Sequence, residues 1–100
     1  MSQQAAAARD QARTADRDFV TDIFSRAVGQ LGDDKLEIRL GAIYTLRQLK
    51  DDYAEFSRPV MMVLAAYVRK RTATIPDAAK EDDIREIIDL LGRALHKEEF

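Results

Sequence analysis

An all-α fold, a compact four-helix module with a long N-terminal helix, is what this 100-residue chain predicts. Three observations carry the prediction. Apolar residues recur at helical three-and-four spacing in four separate stretches. Only two prolines and four glycines interrupt the chain, so long elements can persist. No run alternates apolar and polar residues between turn signals, as a strand would. With 46% hydrophobic and 34% charged residues, the composition is that of a globular domain rather than a disordered one. A chain this long makes one domain and hides roughly 60–70% of its unfolded surface.

The first helix is expected from about Gln4 to Leu31, with Gly32 as its stop. Ala5, Ala8, Ala12, Ala15 and Phe19 form a thin alanine seam, and Phe19, Ile23, Phe24, Ala27, Val28 and Leu31 a broad stripe fit for a core. Alanine favours helix but buries little area. Residues 1–18 are therefore read as a projecting or fraying part, and residues 19–100 as the helical domain. The second helix opens at Asp34, with Glu37 completing an acidic capping box. Leu36, Leu40, Ile43, Leu46 and Leu49 give its buried line, widened by Ile38 and Ala42, and Asp51-Asp52 marks its exit. Gly41 and Ala42 fall where another helix is expected to come close.

Ser57 is the expected cap of the third helix, and Pro59 sits in its first turn, where a missing N–H does no harm. Val60 to Val68 is apolar all round, which places this helix at the centre of the bundle. It ends in Arg69-Lys70-Arg71, cations at the negative end of the helix dipole. Thr72 to Asp77 reads as a loop. The fourth helix covers about Ala78 to Leu95. Its buried stripe is Ile84, Ile87, Ile88, Leu91 and Leu95, its wet side Asp83, Arg85, Glu86, Asp89 and Arg93, and Gly92 is a candidate close-contact point. Phe24, Leu40, Ile43, Leu64, Ile88 and Leu91 are predicted to be buried together.

Ile38-Arg39, Gly41-Ala42 and Leu46-Arg47-Gln48-Leu49 resemble the inner helix of a HEAT-type repeat, which implies HEAT/armadillo-like helix packing. In such repeats an inner arginine bridges to an acidic residue of the adjacent unit, which gives Arg39 a structural role. A wider likeness runs from Phe24 to Arg93. The blocks Phe24 to Gly32, Lys35 to Tyr44 and Val63 to Arg69 recur in order, at similar spacing, in the helical segment that precedes the repeats of bacterial pentapeptide-repeat proteins. That resemblance implies a helical, non-catalytic, bacterial cytoplasmic module. Its relatives commonly carry membrane helices upstream and pentapeptide runs downstream, which this sequence lacks. The chain is thus expected to be either free-standing or a segment of a longer protein anchored at the cytoplasmic face of a membrane.

Charge is unevenly placed. Residues 1–34 hold four Arg against six Asp, residues 35–72 eight Lys/Arg against four acids, and residues 73–100 four bases against eight acids. The basic middle and acidic end can neutralise each other within the fold, or between molecules stacked head to tail. A net charge of -2 does not argue for nucleic acid or an anionic membrane. The longest apolar run, Val60 to Val68, falls short of the ~18–20 residues of a span, and the N-terminus lacks the apolar segment of a signal peptide. The absence of cysteine excludes disulfides and thiolate sites.

No residue pattern points to catalysis, a cofactor or a metal. The doublets Asp33/Asp34, Asp51/Asp52, Asp82/Asp83 and Glu98/Glu99 sit at helix ends, where capping and solvation account for them. His96, the single histidine, has no second ligand beside it for zinc, and Ser2, Ser25 and Ser57 have no neighbouring base. None of the four glycines builds a phosphate loop. Tyr44, Tyr53, Phe56 and Tyr67 read as core or core-edge. Met61 and Met62 cannot both face one interface, so one of them fills a second contact or stays exposed. The function expected is therefore a non-catalytic protein–protein interaction or scaffold module, with self-association within its range. Its contact residues would be Ala5, Ala8, Ala12, Ala15, Met61, Met62, Arg69, Lys70 and Arg71. The alternative is nucleic-acid or anionic-ligand binding through residues 35–71, built on Arg69, Lys70 and Arg71 with Lys35, Arg39, Arg47, Lys50 and Arg58.

Overall fold

The computed structural model describes residues 3–96, with side chains from Asp16 to Arg93. Expectations on Ala5, Ala8, Ala12 and Ala15, the projecting residues 1–18 in large part, and Ser2, Leu95, His96, Glu98 and Glu99 fall outside the described side chains. Four helices follow one another: α1 Gln3–Gln30, α2 Leu36–Asp52, α3 Ser57–Thr74 and α4 Asp82–His96. Short 3-10 turns, Ala54–Phe56 and Ala78–Lys80, lead into α3 and α4. No strand occurs among the described residues, so the all-α four-helix fold stands. None of these helices is long and apolar enough to cross a membrane.

The core is built around α2. Ala42, Ile43, Leu46 and Leu49 of α2 meet Val20 and Ala27 of α1 with Leu31 just beyond its end, Val60 and Leu64 of α3, and Ile87 and Leu90 of α4. It is α2, not α3, that packs against the other three helices. Although apolar all round, α3 buries only Val60, Met61 and Leu64 fully. Ala42 is the close-packed residue of its pair, whereas a Cβ on Gly41 or Gly92 would meet nothing within 4 Å.

The expected apolar stripes of α1 and α4 face the core except at one described position in each helix, Phe19 and Ile88. Phe19 is 67% exposed and Val20 takes its place inside. The inward row is therefore Val20, Ile23/Phe24, Ala27 and Leu31, four or three apart at each step. In α4 the inward row is Asp83/Ile84, Ile87, Leu90/Leu91, and Ile88 is left 48% exposed. Ile43 and Leu64 are fully buried, while Phe24, Leu40 and Leu91 pack against the core from its edge. Ile38, Tyr44 and Tyr53 are exposed; Phe56 and Tyr67 do sit at the core edge.

The helix ends differ too. Gly32 has no positive φ; α1 closes through tightened bonds from Gly32 N–H to the Gly29 carbonyl and from Asp33 N–H to that of Gln30. Lys35, in extended conformation, precedes α2. The carboxylate that accepts there is Asp33, from the Lys35 N–H at 2.9 Å, an Asx-type turn in place of a box at Asp34. Ser57 is already helical and caps nothing, because the preceding 3-10 turn makes Phe56 the flanking residue. Helix α3 continues through Thr74, and the Thr72 and Thr74 hydroxyls bond back to the carbonyls of Val68 and Lys70. The turn that follows places Asp77 at φ 62° after Pro76, a left-handed position that aspartate tolerates better than most residues. With Ala78–Lys80 in a 3-10 turn, α4 begins four residues later than expected.

Candidate interaction surface

Two regions on either side of α3 define what the molecule can offer a ligand. The first is a closed polar corner where α2, α3 and the start of α4 meet. The Asp83 side chain is wholly buried there. Its Oδ2 accepts from Arg39 Nε at 2.9 Å and from the Tyr67 hydroxyl at 2.5 Å, and its Oδ1 from the Ile84 N–H at 2.9 Å. Arg39 also donates from one terminal nitrogen to the carbonyls of Asp33 and Asp34, at 3.0 and 2.9 Å, pinning the α1–α2 loop to the corner. Arg71 donates through Nε to Glu81 at 2.8 Å and lies 3.8 Å from Asp83; Arg39 lies 3.8 Å from Glu81. Two cations and two anions therefore close a square with no net charge.

Burial on its own would push the Asp83 carboxyl up. Hydrogen bonds from Tyr67, Arg39 and the Ile84 backbone overcome it and hold the group below the ordinary carboxylate range. Burial, then the bond to Asp83, pushes the Tyr67 hydroxyl up to about 12. Asp83 thus stays ionised and Tyr67 protonated at neutral pH, each fixed by the other. Both carboxylate oxygens are engaged inside the protein, so the corner consumes its own polar groups. No buried side-chain nitrogen or oxygen among the described residues lacks a partner, and no group of three acidic or histidine side chains among them could hold a metal.

The second region is an open groove between the end of α1 and the length of α3, with a volume of about 460 Å³. Val28, Leu31, Val63 and Ile75 supply apolar walls, with Gly32 and Ala66 as small residues between them. Tyr67, Lys70, Arg71 and Thr74 complete it toward the C-terminal end of α3. Tyr67 and Arg71, one helical turn apart, belong to both regions. The Arg71 guanidinium lies 5.9 Å from the centre of the Tyr67 ring, within cation–π range.

The expected contact residues divide between inside and outside. Met61 is 2% exposed and is core, not a contact; Met62 is 64% exposed and stands one turn before Ala66 on the helical row Met62, Ala66, Lys70. Arg69 and Lys70 are exposed, while Arg71 is half-buried and paired to Glu81. The basic stretch does not assemble into one patch. Arg39 is enclosed in the corner, and Lys50 is buried with its ammonium 3.2 Å from Asp51. Sequence reasoning missed Asp83 and the groove. Asp83 shares the spacing of Ile87 and Leu90, four and seven residues on, which marks it as inward-facing. A helix apolar on every side but flanked by too few partners is the signal for the groove.

A second depression, of about 550 Å³, lies between α2 and α4 and is lined by Leu40, Tyr44, Asp82, Arg85, Glu86 and Asp89. Its charges are mixed, and Asp89 is already engaged by Arg93. Compared with known protein families, curated proteins and solved structures, the chain finds no significant match.

Proposed function

We propose that the domain is a non-catalytic helical interaction module, a scaffold part whose contact surface is the groove between α1 and α3 together with the exposed Met62. One observation carries this reading. An apolar channel of about 460 Å³ stays open along α3, while the buried polar groups of the adjoining corner are satisfied internally. An uncovered apolar surface on a small domain is a site for another macromolecule more readily than for a small molecule. The likeness to the segment preceding pentapeptide repeats is consistent with a scaffold role. Binding of nucleic acid through residues 35–71 is the weaker alternative, because that mode needs a continuous field of unpaired cations, and Arg39, Lys50 and Arg71 are each engaged by carboxylates.

The test is site-specific photo-crosslinking in cells. A crosslinking residue at Ala66 is expected to yield a discrete protein adduct, and one at Gln48, exposed on α2, to yield none. The partner so identified, once purified, is expected to bind the wild-type chain and to lose at least tenfold in affinity to Ala66→Asp. Adducts at neither position, or equal adducts at both, would contradict the reading.

A further inference from the structure

We infer that the groove is built for an acidic amphipathic helix of a partner protein, with apolar side chains on its floor and a carboxylate at the Lys70–Arg71 end. The inference rests on the interaction reading above and names the chemistry of the partner.

Shape comes first. From Val63 to Thr74 the groove follows α3 over eleven residue steps, about 16 Å at 1.5 Å per step, or three turns of a helix lying alongside. Gly32 and Ala66 are both among its lining residues, and a Cβ on Gly32 would approach only the Gly29 carbonyl, at 3.6 Å. Small residues at such points let a second helix come close. A drug-sized molecule would remain largely wet in so open a channel, whereas small-molecule sites enclose most of their ligand.

Charge decides the partner's sign. Lys70 is exposed, and its ammonium has no hydrogen-bond or ion-pair partner among the described residues. Arg71 uses only its Nε, toward Glu81 and Asp83; its two terminal nitrogens have no partner among the described residues. Glu81 on one edge and the Tyr67 ring beneath fix the guanidinium plane, so the remaining N–H groups are preorganised for a carboxylate. Arg69, exposed one residue earlier, adds to the same field. No acidic residue lines the groove. A second copy is a poorer occupant. The acidic helix of this chain, α4, already spends Ile84, Ile87 and Leu90 on its own core, and among its described residues Ile88 is the one large apolar side chain left exposed.

The probe is a pair of eighteen-residue model helices with the same leucine stripe, one flanked by glutamates and one by lysines, titrated into the ¹⁵N-labelled full chain. The glutamate helix is expected to bind at least tenfold more tightly than the lysine helix, to weaken with added salt, and to shift the amides of Leu31, Val63, Ala66, Lys70 and Arg71. Lys70→Glu, a substitution on an exposed side chain, should leave the circular dichroism unchanged and reverse the preference between the two helices. Equal binding of both, shifts centred on α4, or a preference that survives Lys70→Glu would overturn the acidic-partner inference. Concentration-dependent dimerisation abolished by Lys70→Glu would overturn it in favour of a second copy. If the crosslinked partner occupies the groove but ignores Lys70→Glu, the inference fails while the interaction reading stands; if nothing occupies the groove, both fall.

Discussion

The polar corner and the groove are drawn from the same stretch of chain, yet they use it in opposite ways. In the corner, Arg39 and Asp83 are buried and Arg71 and Glu81 half-buried, and the four charges pair with one another. In the groove, Lys70 and the far side of Arg71 face outward over apolar walls. Buried charge is tolerable only when matched, so the corner has to be self-sufficient and has nothing left for a ligand. Solvated charge has no such requirement, so the groove can leave its cations open. Tyr67 and Arg71 stand on the boundary, their polar ends in one region and their flanks in the other. The difference separates residues that hold the fold from residues that can serve a partner, and mutations should separate them too.

The largest effect is expected at Asp83. Replacing it with Ala leaves Arg39 buried with Glu81 3.8 Å away as its nearest acidic partner, an error that costs about 3–5 kcal/mol when a buried pair is broken. Against a domain stability of about 5–15 kcal/mol, urea denaturation should show an early midpoint. Because the folded carboxyl lies below its ordinary range, its contribution is full above about pH 4 and disappears as pH falls through the folded value. Wild-type stability should therefore drop on acidification below pH 4 more steeply than that of Asp83→Ala. Ile43→Ala, at the centre of α2 and 2% exposed, is the matching apolar lesion. It should cost about 2–5 kcal/mol as a cavity, with no effect on the pH profile.

Tyr67→Phe sharpens the boundary between the regions. It keeps the ring in the groove but removes the bond to Asp83, a loss of about 1.5–3 kcal/mol for a hydrogen bond to a charged group. The hydroxyl is raised to about 12 in the folded state from ~10 in the unfolded chain. Its stabilising contribution is thus full below pH 10 and fades as pH rises through 12. Urea midpoints of wild type and Tyr67→Phe should converge across that interval, while affinity for a groove ligand held at neutral pH stays within a few-fold of wild type.

The helices and their approximate ends were readable because three-and-four spacing reports which face is apolar. Arg39 as a bridge to an acidic residue was readable too. Register was harder. Phe19 and Val20 are adjacent hydrophobes, and the sequence offers no reason to prefer the smaller one until α2 is in place. Ile88 and Leu90 pose the same ambiguity in α4. Uniform apolarity of α3 does not put it at the centre of the bundle, because part of its apolar surface lines an open groove while α2 packs against the other three helices. Asp83 eluded a reading that counts carboxylates as wet, since only three-dimensional packing brings Arg39, 44 residues away, to its side. The groove needed tertiary structure for the same reason: Leu31, after the end of α1, and Val63 of α3 line one groove, although 32 residues separate them in the chain.

Equilibrium urea unfolding of Asp83→Ala beside Ala66→Asp tests the division of labour most directly. Both place the change on one small side chain, one inside the corner and one on the exposed groove surface. Asp83→Ala should lose about 3–5 kcal/mol, whereas Ala66→Asp should stay within about 0.5 kcal/mol of wild type. An Asp83→Ala midpoint equal to wild type, or an Ala66→Asp protein that unfolds as early as Asp83→Ala, would contradict the separation of a closed structural corner from an open contact surface.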